Sequence, residues 1–117
     1  MNIFQKQSLI GAIALTFSAL SNQAFAECAE PTSPIIPDGN VASLDELKAA
    51  QGAFNEMQDN FLSYRECITK KIEQLDAESE SFDQKKNALT EKDDDAFEKL
   101  NKVADNLNAA IRTYKEK

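Results

Sequence analysis

Apolar residues recur at intervals of three and four along two stretches of the chain. The first stretch carries Leu47, Ala50, Phe54, Met57, Phe61, Tyr64, Ile68 and Leu75, with Ile72 beside them. The second carries Leu89, Ala96, Leu100, Val103, Leu107, Ala110 and Tyr114, flanked by Phe97 and Ile111. This spacing places the apolar side chains on one face of a helix and forms a heptad pattern. Because positions 53–117 also lack Gly and Pro, the pattern predicts an all-α fold.

Two capping signals divide the helical region. Ser43 and Glu46 have the spacing of a capping box, and Ser81 and Gln84 repeat it after a polar run at 78–80. We therefore expect helices at about 43–78 and 82–116 that fold back as a coiled-coil-like antiparallel hairpin over 43–117. The alternative is one continuous helix in a parallel coiled coil, which the lack of Gly or Pro at the break leaves open.

Residues 27–42 have a different composition from the helical region. Pro31, Pro34 and Pro37 are three residues apart, which is one turn of a polyproline II helix, and Asp38-Gly39-Asn40 is typical of a turn. We expect an extended, Pro-rich N-terminal tail that ends in a corner before the first helix.

Residues 1–26 have the layout of a secretory signal peptide. Lys6 is their only charged residue, an apolar run follows at 9–20, and Ala24-Phe25-Ala26 forms an Ala-x-Ala cleavage site ahead of Glu27. The apolar run is shorter than the roughly 20 residues that span a bilayer. We expect cleavage after Ala26, no membrane anchor after cleavage, and a periplasmic or secreted protein.

The two cysteines, Cys28 and Cys67, both lie in the exported part. An even number of cysteines in an oxidising compartment predicts a disulfide, with two unlinked thiols as the alternative. The reach of the chain permits the bond. Cys67 lies about 36 Å along a helix from Ser43, and the 28–43 segment can span about 46 Å when extended.

Charge and composition exclude several classes of function. The chain has 13 Lys and Arg against 20 Asp and Glu, no His, and a net charge of −7, which becomes −8 once Lys6 is removed. Strong acidity disfavours nucleic acid and anionic membranes. The absence of His removes the commonest general base and metal ligand. The carboxylates of the acidic run Asp93-Asp94-Asp95 would fan outward from a helix and could not converge on a metal ion. We therefore expect this run to form a solvated face opposite Arg65 or Lys70. We also expect the protein to have no metal, no cofactor and no enzymatic activity.

The segment Cys28-x-x-Pro31-x-x-Pro34-x-Ile36-Pro37-Asp38-Gly39, followed by a helix with Tyr64-Arg65-Glu66-Cys67, resembles a family of small exported bacterial proteins of no known activity. The resemblance covers most of the exported chain. It implies export and a paired role for Cys28 and Cys67, and it implies no chemistry.

These features favour a structural or protein-interaction role. The hydrophobic seam would form the core and serve a protein partner or self-association; its residues are Phe54, Met57, Phe61, Tyr64, Phe97 and Leu100. A periplasmic chaperone and an inhibitor-type binder of a basic partner are the alternatives. The C-terminal Lys117 resembles that of murein lipoprotein and would permit attachment to peptidoglycan, although Lys is also a common last residue.

The intact mass of the protein from its own host, measured without reductant, tests the export prediction. We expect a chain that begins at Glu27 and lacks two hydrogens, because the leader is removed and the cysteines are joined. A cell-wall fragment on Lys117 would instead identify a wall-anchored protein. A retained leader or two free thiols would contradict the prediction.

Overall fold

The computed structural model describes residues 27–117 and consists of two helices joined by a short loop. Helix α1 spans Leu44–Glu73 and α2 spans Phe82–Glu116. The helices pack side by side in antiparallel directions, as the contacts between them require. The predicted all-α hairpin is confirmed, and the continuous-helix alternative is wrong. The predicted cleavage residues Ala24 and Ala26 lie outside the described part of the chain.

The heptad positions of both helices form the core. One cluster of buried side chains occupies the middle of the hairpin, and a second lies where the start of α1 meets the end of α2. The first cluster comprises Met57, Phe61, Tyr64, Ile68, Ala96, Leu100 and Val103. The second comprises Ala42, Leu47 and Ala110. The apolar spacing therefore identified the packing face of both helices.

Two contacts define how the helices align. The Arg65 guanidinium donates to both carboxylate oxygens of Asp93, at 2.9–3.1 Å, and the rings of Phe61 and Phe97 lie 5.8 Å apart. Arg65 follows Phe61 by four residues, whereas Asp93 precedes Phe97 by four. Both contacts thus report the same antiparallel alignment, and the expected position of the acidic run opposite Arg65 is confirmed.

A reciprocal cap begins α1. The Glu46 backbone N–H donates to the Ser43 hydroxyl at 3.1 Å, and the Ser43 backbone N–H donates to Oε1 of Glu46 at 3.0 Å. These bonds stabilise the ionised carboxylate and hold the pKa of Glu46 below its usual value. The predicted capping box at Ser43 is confirmed.

The turn between the helices differs from the prediction in two respects. Helix α1 ends at Glu73, earlier than the expected residue 78, because the segment 74–81 forms turns instead. There, Asp76 accepts hydrogen bonds from the backbone N–H groups of Glu78 and Ser79, which competes with helical bonding. Ser81 is the N-cap residue of α2, but its side chain forms no capping bond and lies 3.0 Å from the Ser79 hydroxyl. The predicted second capping box is therefore wrong.

A tight corner joins the tail to α1. The Asp38 carbonyl accepts from the backbone N–H groups of Val41 and Ala42, and the Asp38 carboxylate accepts from the Asn40 N–H at 2.9 Å. Gly39 is buried against the end of α2, where an added Cβ would overlap the Ala110 carbonyl oxygen. The same Cβ would lie 2.9 Å from the Cβ of Thr113. Close approach to a helix, and not an unusual φ, requires glycine here.

Replacing Gly39 and Gly52 with Ala should have opposite effects on stability. Gly39→Ala should cost about 1–3 kcal/mol, because the new methyl meets helix backbone that cannot move aside. Gly52 lies within α1 with open space around it, so Gly52→Ala should add about 0.5–1 kcal/mol through helix propensity. Urea unfolding of both oxidised variants measures the difference. An equal effect of the two changes would contradict the close packing of the corner.

Candidate interaction surface

The tail lies along one edge of the hairpin and is joined to it by a disulfide. Cys28 and Cys67 form the bond, with their Cα atoms 5.8 Å apart, which confirms the predicted pairing. Cys28 and Ile36 pack against the central core cluster, and Ile36 also contacts the second cluster. The tail therefore adds a third layer of apolar contacts to a fold with only two helices.

Two ion pairs align the tail with α2. Lys99 Nζ lies 2.9 Å from Oε1 of Glu30, and Lys92 Nζ lies 4.0 Å from Oε2 of Glu27. The lysines are seven residues apart on a helix, or about 10.5 Å, and the glutamates are three residues apart in an extended chain, or about 9.3 Å. The spacing of the two lysines along α2 and that of the two glutamates along the tail are similar enough for both ion pairs to form. Because these side chains are exposed, the pairs orient the tail more than they stabilise it.

The tail also alters the environment of two titratable groups. Burial raises the pKa of Tyr64, and the negative charges of Glu30 and Asp93 raise it further. The hydrogen bond to Glu30 raises the pKa of Lys99. Both residues stay in their usual protonation states at neutral pH, so neither shift creates an acid or a base for catalysis.

The face of the hairpin opposite the tail has few charges. We call this surface the open face. Its fifteen residues are Gln51, Asn55, Gln58, Leu62, Arg65, Thr69 and Ile72 of α1, with Asn87, Thr90, Asp94, Phe97, Asn101, Ala104, Asn108 and Ile111 of α2. Only Arg65 and Asp94 are charged, although charged residues make up 28% of the chain. The open face is thus a sparsely charged surface on an acidic protein.

An arginine and two large apolar residues occupy the middle of the open face. Phe97 is 45% exposed and Leu62 is 61% exposed. The Arg65 guanidinium lies 4.6 Å from the ring centre of Phe61 and 5.4 Å from that of Phe97, while it binds Asp93. The bonds to Asp93 raise the pKa of Arg65. The side chain is therefore held in place by two rings and a carboxylate, which reduces the entropy that Arg65 would lose on binding.

The predicted seam residues fall into two groups. Met57, Phe61, Tyr64 and Leu100 are buried, Phe54 is half-buried, and all five contribute to the central core. Phe97 was expected in the same seam, but it lies at the edge and reaches the open face. Leu62 lies outside the predicted seam. The uncharged residues that recur at heptad spacing beside Leu62, such as Asn55, Gln58 and Thr69, are the signal that could have identified the open face.

Acidic side chains follow the outward side of each helix at heptad spacing. We call these two rows the acidic ridges. They comprise Asp59, Glu66 and Glu73 on α1, and Glu91, Glu98 and Asp105 on α2. The hairpin therefore presents two surfaces of different character, one acidic and one sparsely charged.

The Lys117 side chain folds back onto the corner before α1. Its Nζ donates to the Ala42 carbonyl at 3.0 Å and to the Asn40 carbonyl at 3.4 Å, and it lies 4.6 Å from the ring centre of Tyr114. These bonds would have to break before Nζ could be attached to peptidoglycan. In this arrangement, Lys117 closes the end of the hairpin.

No protein-family model matches the chain, and no curated protein or solved structure matches it. The resemblance based on the Cys-Pro segment therefore stays a prediction.

Within residues 27–117, neither helix has an apolar stretch long enough to cross a bilayer. No set of three potential metal ligands converges in the same residues.

Removal of either cysteine should destabilise the fold by the same amount. Cys28→Ser and Cys67→Ser each abolish a bond that closes a 39-residue separation, for which the loop-entropy model gives about 4 kcal/mol. The double variant should cost no more than either single one. Urea unfolding of the oxidised parent and of the three variants measures the loss. A large difference between the single variants would contradict a purely structural bond.

Proposed function

We propose that this chain is an exported, non-catalytic protein-interaction protein of the cell envelope that acts through the surface of its helical hairpin. The observation that carries the proposal is the open face. An exposed aromatic ring and an ordered arginine lie at its centre, and it has two charged residues among fifteen. Protein interfaces have this composition, because their centres are depleted of charge and enriched in aromatic residues and Arg.

The cysteines and the N-terminal segment support the assignment to the envelope. Disulfides persist in oxidising compartments such as the periplasm, and the Cys28–Cys67 bond closes a large loop in a fold with a thin core. Residues 1–26 have the composition of an export signal. A periplasmic or secreted protein accounts for both features together.

The acidic ridges favour a second candidate function. Six carboxylates at heptad spacing on the outward faces would attract a basic partner through electrostatic steering. An inhibitor-type binder would use this surface. A periplasmic chaperone would instead use the exposed Leu62 and Phe97 to hold unfolded chains.

Site-specific photo-crosslinking in the host envelope tests the proposal and separates the candidates. A photo-reactive amino acid is placed at Leu62 on the open face, at Glu66 on an acidic ridge, or at Ala88, an exposed position of α2 outside both surfaces. We expect one defined crosslinked product at position 62 and none at position 88. A product at position 66 whose yield falls with salt would favour the binder of a basic partner.

Further outcomes distinguish the chaperone and contradict the proposal. Many heterogeneous products at position 62, together with suppression of aggregation by the purified protein, would favour the chaperone. The absence of products at both 62 and 66 would contradict a role in protein interaction. The Ala88 position is the matched control, because it is also exposed and lies on α2 outside both surfaces.

A further inference from the structure

We propose that the open face is the interface of a symmetric homodimer, in which the open faces of two hairpins meet to form a four-helix bundle. This inference rests on the proposed function, because it names the partner of the same surface.

The distribution of charge favours a second copy of the chain over a basic protein as the partner of the open face. A basic protein would be drawn to the acidic ridges, where Glu66 and Glu98 lie, and would gain less from a surface on which Arg65 is already paired with Asp93. Two copies of this acidic chain repel each other wherever those ridges approach. The open face carries few charges, so two copies can meet there with little repulsion. A two-fold axis pairs such a surface with itself, so each copy presents the same sparsely charged face to the other.

Area is the second argument. The open face extends about 35 Å along the helices at 1.5 Å per residue, and two packed helices are about 20 Å wide. The resulting footprint of roughly 700 Å² is close to the roughly 800 Å² that each partner contributes to a stable interface. Leu62, Arg65 and Phe97 lie near its centre, where the residues that dominate binding energy are normally found.

The position of the tail explains why one face of the hairpin is available to a second copy and the opposite face is not. The disulfide and the Glu30–Lys99 pair hold the tail along one edge, where Ile36 supplies a third layer. The other edge leaves Phe97 and Leu62 exposed, with no third layer in the part of the chain that the structure describes. A second hairpin would supply that layer and bury both side chains. Antiparallel helix pairs commonly complete their core in this way as four-helix bundles.

Sedimentation equilibrium tests the proposal. The protein is produced with its own leader, purified without reductant, and measured from roughly 1 µM to 1 mM, the range of weak to moderate affinities. We expect a mass twice that of the monomer at the upper concentrations. Asn101→Glu places an extra negative charge on the open face of both copies and should raise the dissociation constant at least tenfold.

Lys102→Glu is the matched control, because residue 102 follows on the same helix but points away from the open face. It adds more negative charge than Asn101→Glu, so an effect of net charge alone would weaken the control dimer more. We expect its dissociation constant to change less than twofold, and both variants to keep the helical circular dichroism of the parent.

Three results would overturn the dimer. They are a monomer at every concentration, equal weakening by both variants, and a dimer that Asn101→Glu leaves unchanged. A monomer in solution that nevertheless crosslinks through position 62 to a different envelope protein would overturn the dimer and leave the proposed function standing. The absence of crosslinks at both position 62 and position 66 would contradict the dimer and the proposed function together.

Discussion

The covalent attachment of the tail to α1 is the constraint on which the rest of this fold depends. Two helices can shield only the stripe where they touch, so a hairpin of this length has a thin core. The Cys28–Cys67 bond keeps the tail against one edge, and there Ile36 contacts both core clusters. The Pro-rich segment suits this position because an extended chain with preset φ angles loses little entropy when it is ordered.

The tail also makes the hairpin asymmetric. An isolated antiparallel pair of helices has two similar edges, and the tail covers one of them. Its acidic residues Glu27 and Glu30 neutralise two lysines of α2 on that side. The uncovered edge retains Phe97 beside Arg65, a position where a further layer of protein would complete the packing. The proposed interaction surface is therefore a consequence of where the tail binds, and not of a separate element.

The division of charge over the surface is consistent with this arrangement. Six carboxylates lie on the outward ridges, while the open face is built mainly from Asn, Gln, Thr and apolar side chains. Uncharged polar side chains keep an exposed face hydrated in the monomer and are less costly to bury than carboxylates. The same face can thus tolerate water and accept a partner, which a fully apolar stripe or a charged one could not do equally well.

The residue pattern of the chain predicted the helices and favoured the hairpin and the disulfide over their alternatives, because these depend on local propensity, heptad spacing and the reach of an extended segment. The Ser43 cap was predictable for the same reason, whereas the second cap failed because Ser79 engages the Ser81 hydroxyl. Tertiary packing alone decided that Phe97 lies at the margin of the core and that Gly39 packs against Ala110. It also decided against which face of the hairpin the tail packs. Heptad spacing specifies which helix face is buried, but the side on which a third segment lies depends on contacts between residues far apart in the chain.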